Sequence, residues 1–264
     1  MADLVIRNAD LVDGSGAPRR RADVAVTDGL IFEVTEAGAA SPGDREIDAD
    51  GLLLTPGWVD VHTHYDAQAS WDPYLTPSSW HGVTSVVMGN CGVGFAPAAP
   101  DRHDWLIEMM EGVEDIPGAA MTEGISWEWE SFEQFLDALD ARHYAIDIGA
   151  QIAHGPVRGY VMGDRGAANE AATPADIAAM SAIVESGLRA GALGFSTSRT
   201  PLHKSLSGEL VPGTHATADE LVGIADAIGR VGHGVFQFAP DHVDVPVSEM
   251  PWICLLYTSP SPRD

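Results

Sequence analysis

From Trp58 onward the chain alternates β-branched runs with longer stretches of helical period, and this alternation narrows the fold more than any other feature. Strands alternating with helices build a parallel sheet with the helices packed outside it. Strands are expected at 58–62, 84–89, 146–152, 192–197 and 235–239. Each run leads into polar or turn-forming residues: His62-Thr63-His64, Gly89-Asn90-Cys91, His154-Gly155-Pro156, Ser196-Thr197-Ser198-Arg199 and Pro240-Asp241-His242. Chemistry gathered at the C-terminal ends of parallel strands is the mark of a (β/α)8 barrel. A whole barrel takes about 250 residues, more than the stretch 57–253 offers. The expected fold class is therefore α/β, a partial (β/α)8 TIM barrel of about five of the eight strands.

The helices between these strands announce their own ends. Ser131 with Gln134 three residues on forms a capping box for a helix over 131–142. Thr173, Pro174 and Gly191 are the cap, first residue and stop of the next, and Thr217 with Glu220 makes another capping box. A further helix at 102–111 carries Trp105, Leu106, Met109 and Met110 as a core stripe. Ahead of the barrel, residues 1–56 read as a small β domain. Ala22–Thr27 and Leu30–Val34 flank Asp28-Gly29, a two-residue hairpin signal. At the other end, 254–264 breaks with the composition before it and back-translates into a sequencing-library adapter. That tail is expected to be non-native and Cys254 to have no role.

Two imidazoles at i and i+2 on a short alternating strand, His62 and His64, leave on one side of it. Cys91 ends the next strand among small and turn-forming residues. Two imidazoles and one thiolate at neighbouring strand ends suit Zn2+ better than hard, oxygen-preferring cations. The plainer alternative for Cys91 is a small buried hydrophobe. Asp66 either orients one of the histidines or caps the segment after it. His81, His103 and His143 read as structural or surface residues.

Composition excludes some partners. A formal charge of −25, from 14 basic and 39 acidic residues, argues against nucleic acid and against an anionic membrane. No run of about 18 apolar residues is present to span a membrane. With two cysteines there is no disulfide framework, and without a visible signal peptide the expected compartment is the cytoplasm.

With these motifs on the page, the chain resembles the N-acyl-D-amino-acid deacylases (D-aminoacylases) of the amidohydrolase superfamily. The resemblance runs from Leu4 to about Pro251 and rests on Pro56-Gly57-Trp58-Val59-Asp60-Val61-His62-Thr63-His64-Tyr65-Asp66, Gly89-Asn90-Cys91-Gly92 and Glu111-Gly112-Val113-Glu114-Asp115-Ile116-Pro117. Val161-Met162-Gly163 and Gly191–Ser198 extend it. It implies a β-sandwich built from both chain ends beside a distorted barrel, with zinc at the barrel mouth. His62 and His64 match the first-strand ligands, and Cys91 the cysteine that stands where many relatives have a carboxylated lysine. Two more histidines from the fifth and sixth strands and an aspartate base at the eighth complete the family's site. At the fifth strand this chain has Val235–His242 in place of a His followed by Arg and Glu, and the offset of His242 differs, so the role is not carried over.

The function the resemblance implies is zinc-dependent hydrolysis of small N-acyl-D-amino acids. Residues 1–264 alone, lacking the sixth strand onward, are expected to be inactive. The alternatives are an amidohydrolase acting on cyclic or other amides, and a non-catalytic scaffold of the same fold. His154, Arg158 and Arg199, just past the third and fourth strands, are candidates to meet a substrate carboxylate, as against ordinary solvated loop charges. His203 and Lys204 are weaker ones. Oligomeric state is not legible.

Overall fold

The computed structural model describes residues 1–258, with side chains through Leu256. It divides into two compact units, Met1–Trp58 and Val59–Asp264. The first is a single five-stranded sheet. Its strands β1 (Ala2–Leu11), β2 (Arg20–Thr27), β3 (Leu30–Glu36) and β4 (Gly43–Asp48) lie in the order β3-β2-β1-β4, and β5 (Leu53–Leu54) pairs with β1. Asp28 and Gly29 both take positive φ, 51° and 75°, as the tight turn between β2 and β3 requires. Asp23, fully buried, accepts hydrogen bonds from the backbone N–H groups of Asn8, Gly38 and Ala40 and from Arg7. Burial alone would raise its pKa; the backbone donors and Arg7 outweigh that and hold the carboxyl below its ordinary range.

The second unit carries the parallel sheet. Its strands are β6 (Trp58–Asp60), β7 (Val83–Met88), β8 (Asp147–Ala153), β9 (Gly194–Ser198) and β10 (Val235–Ala239), in sequential order. The pairs β7/β8, β8/β9 and β9/β10 are parallel. Sequential parallel strands with helices in the crossovers are the topology of a barrel wall, here five strands of it.

The crossovers hold α1 (His103–Glu114), α2 (Gly118–Gly124), α3 (Phe132–Asp140), α4 (His154–Met162), α5 (Asp164–Ala167), α6 (Pro174–Ala190) and α7 (Ala218–Val231). In α6, Met180, Val184 and Leu188 are buried on one face. Each contributes about 1.5–3 kcal/mol, more than the roughly 1 kcal/mol of an N-cap. Packing therefore decides that the helix lies here, and Thr173 decides where it starts. After β10 come α8 (Val245–Ser248) and α9 (Met250–Thr258), whose Trp252 is buried beside Leu221. Residues 254–258 of the tail belong to α9, and 259–264 lie outside the described residues. No helix among the described residues is long and apolar enough to cross a membrane.

The histidine strand is shorter than expected. β6 stops at Asp60, so His62 and His64 follow it instead of standing on it. The alternation persists because Thr63 is pinned: its N–H and its Oγ1 both donate to Val87 O, at 2.9 and 2.8 Å. Thr63 turns inward and both rings turn the other way.

Candidate metal centre

Cys91 is delivered by a turn with little freedom. Beyond β7, Gly89, Cys91 and Gly92 take positive φ of 78°, 54° and 72°. A Cβ at Gly89 would run into the Gln151 carbonyl, and one at Gly92 would press on the Thr197–Ser198 backbone. Cysteine tolerates the left-handed region poorly, at a cost of about 1–3 kcal/mol. Compensation comes from β10, where Gln237 Oε1 accepts the Cys91 N–H at 3.0 Å. Ser196 Oγ accepts the Gly92 N–H.

The turn brings Cys91 Sγ to 3.2 Å from His62 Nε2. The His62 and His64 ring centroids are 5.4 Å apart. One donor atom from each of His62, His64 and Cys91 lies within 4.8 Å of the others, with His62 exposed, His64 half-buried and Cys91 buried. His64 Nε2 is 3.3 Å from Glu114 Oε1 at the end of α1, while its Nδ1 is buried without a hydrogen-bond partner.

Burial opposes the charged forms of His64, Cys91, Glu114 and Asp66. Burial, then His62 and His203, push His64 down to about 4. Burial, then Glu114 and Asp66, push the Cys91 thiol up to about 12. Glu114 rises to about 7 through burial and Asp115. Asp66 also rises to about 7; burial dominates, and the Gly89 N–H only partly offsets it. A divalent cation reverses this logic, because it holds a thiol as thiolate outright. The orphaned buried Nδ1 and the two-nitrogen, one-sulfur donor set fit a borderline-soft ion such as zinc.

The other expected site residues fall elsewhere. His154 and Arg158 sit in the first turns of α4, not on a solvated loop, and both are wholly buried. The Nε2–H of His154 donates to Glu220 Oε1 at 2.9 Å, and its Nδ1 accepts from Thr197 Oγ1 at 2.8 Å. Arg158 donates to the same Glu220 oxygen and to the Glu170 carbonyl. Glu220 accordingly does not close the expected capping box: Thr217 Oγ1 accepts its N–H, but its carboxylate turns inward. Arg199 donates to the Gly213 and Ala216 carbonyls and to buried Glu249. Both guanidinium groups thus bond internal partners, where the sequence leaves a substrate contact or a solvated loop charge open.

Asp66 is buried with Oδ2 unpartnered, and among the described residues no hydrogen bond joins it to either ring. His242 is exposed and outside the donor group; His203 bonds Ser198 Oγ at 2.9 Å. His103 stacks on Trp127, with centroids 3.7 Å apart.

Glu114 and Gln237 were not singled out from the sequence, though each left a signal. An acid in the last turn of a helix opposes the helix dipole, and Glu114 is the final residue of α1. Gln237 is the polar interruption in Val235-Phe236-Gln237-Phe238-Ala239.

A family model described as "Amidohydrolase family" matches residues 45–244. A D-aminoacylase of Alcaligenes xylosoxydans xylosoxydans is 32% identical over 230 residues, covering 87% of this chain and 43% of that protein. An N-acyl-D-aspartate deacylase of the same organism is 33% identical over 232 residues, 88% of this chain and 42% of that protein. Among solved structures, an N-acyl-D-glutamate deacylase from Bordetella bronchiseptica, complexed with zinc and a phosphonate inhibitor, superposes with a TM-score of 0.75 at 29% identity, covering 97% of this chain and 48% of that one. The chain thus spans less than half the length of these relatives.

Proposed function

We propose, from the premise that this chain belongs to the amidohydrolase family, that it carries the metal-binding part of a hydrolase for the amide bond of N-acyl-D-amino acids. Zinc is the cofactor, held by His62, His64 and Cys91. The observation that carries this reading is the convergence of their three donor atoms within 4.8 Å from the ends of two neighbouring strands.

When bound, zinc supplies a water of lowered pKa and polarises the substrate carbonyl. The chain's own residues prepare the place. Gln237 fixes the backbone of Cys91, Thr63 keeps both imidazoles on one side, and Glu114 stands against His64 Nε2 to orient that ring. Substrate is a small N-acyl amino acid. The general base, an aspartate in the resemblance, is assigned to the part of the relatives' length that this chain does not cover. The small number of cysteines suits a reducing cytoplasm.

Zinc titration of the folded chain against a chromophoric chelator tests the metal. Stoichiometric binding that Cys91→Ser weakens is expected; a folded chain that takes up no zinc refutes it. Hydrolysis of N-acyl-D- over N-acyl-L-amino acids by a gene extended to the relatives' full length tests the substrate. Ring-opening of cyclic amides by that enzyme, with N-acyl-D-amino acids left intact, refutes the substrate.

A further inference from the structure

Asn90 links the two halves of the donor set. It is wholly buried and precedes Cys91 directly. Its Nδ2 donates to Thr63 O at 3.0 Å and to Val87 O at 2.9 Å, and its Oδ1 accepts from Gln151 Nε2 at 2.8 Å. Thr63 is the residue between His62 and His64. One side chain therefore grips the backbone between the imidazoles while its own backbone leads into the sulfur.

Only an amide of this length meets the demand. Two donors on one atom face two carbonyl oxygens, and an acceptor faces a donor from β8. A carboxylate of the same shape would set oxygen against two carbonyl oxygens in the interior. An apolar isostere would strip Thr63 O of this partner, whereas Val87 O would keep the N–H and hydroxyl of Thr63. Gln151 is oriented by the same bond: its nitrogen serves Asn90, while its own Oε1 is buried without a hydrogen-bond partner.

We propose that Asn90 is the positioning residue of the metal centre, setting the separation between the His62–His64 segment and Cys91 before an ion arrives. This rests on the metal reading above. Cys91 keeps its independent hold through Gln237, so loss of the Asn90 amide displaces the imidazoles more than the sulfur.

Cobalt(II) titration of the wild type, Asn90→Asp and Gln151→Met tests this, with the thiolate-to-cobalt charge-transfer band, chelator competition and metal-free melting followed together. Asn90→Asp is expected to melt cooperatively and keep the thiolate band, yet bind cobalt about 10–100-fold more weakly, the range for groups that orient metal ligands. Gln151→Met shifts affinity the same way by less. A folded Asn90→Asp with wild-type affinity overturns the proposal. So does failure of both variants to fold, which assigns Asn90 to core packing alone. A folded wild type without a thiolate band fails the metal reading itself, an outcome visible before any variant is made.

Discussion

Cys91 Sγ and His62 Nε2 lie 3.2 Å apart, although one follows β7 and the other β6. Neighbouring strand ends in a parallel sheet make such a meeting possible, and the turn at Gly89–Gly92 aims the sulfur into it. If the pair holds a soft ion, replacing the sulfur with a harder oxygen matters more than any change of size. Cys91→Ser is expected to abolish the thiolate-to-cobalt band and weaken zinc binding at least about tenfold. Spectroscopic titration decides, and a retained thiolate band in the variant would mean another sulfur is the donor.

Gly89→Ala is expected to destabilise the chain. Its φ of 78° suits few side chains, and the added carbon meets the Gln151 carbonyl. Left-handed strain costs about 1–3 kcal/mol, and backbone displacement adds to it. Urea unfolding measures the loss, and the wild-type midpoint in the variant would contradict the close approach.

Glu220→Gln removes the charge that Arg158 and His154 share in the interior. Breaking a buried pair by deleting one partner costs about 3–5 kcal/mol, because the remaining charge has nowhere to go. A midpoint unchanged from wild type would show that the guanidinium finds another acceptor.

The same trio makes the fold sensitive to acid. Burial would raise Glu220, but His154 and Arg158 hold it below its ordinary 4.5, so its stabilisation is complete above that value and lost as pH falls below it. Burial pushes His154 below its ordinary 6.5, so the unfolded chain takes up that proton first and stability begins to decline as pH drops through 6.5. Both act in one direction. Glu114 and Asp66, raised to about 7, act the opposite way over the same range, so the trio is read as a difference. Between pH 7.5 and about pH 5 the urea midpoint of the wild type is expected to fall relative to that of His154→Gln. A difference between the two proteins that stays constant over that window would refute the linkage.

Thr173→Ala offers the contrast of an exposed contact. It loses the cap on the Asp176 N–H and the hydrogen bond from its hydroxyl to the Asp176 carboxylate. The expected loss is about 0.5–2 kcal/mol, smaller than for Glu220→Gln. Equal losses from the two would upset the ranking.

Local signals carried well into the structure. The Asp28-Gly29 hairpin and the caps at Ser131 and Thr173 are stated by residues a few positions apart, and they form as read. The parallel strands ending in chemistry were equally legible, because apolar runs and their polar terminations sit side by side in the sequence. What stayed hidden depended on distant partners. Glu220 satisfied a capping pattern, yet a buried arginine from another helix drew its carboxylate inward. Arg158 and Arg199 read as substrate contacts or solvated loop charges, since nothing adjacent reveals the acids and carbonyls that receive them. His62 and His64 converge with Cys91, but on other local support than expected, a pinned Thr63 in place of a longer strand.

The bond from the Cys91 N–H to Gln237 spans 146 positions. His62, His64 and Cys91 leave the ribosome early, but the acceptor that steadies the sulfur's backbone arrives only with β10, the fifth strand of this sheet. A contact of that sequence separation forms late. On the proposed metal reading, the nascent chain thus carries its ligands long before Gln237 can steady Cys91, and metal capture follows the pairing of β10 instead of nucleating it.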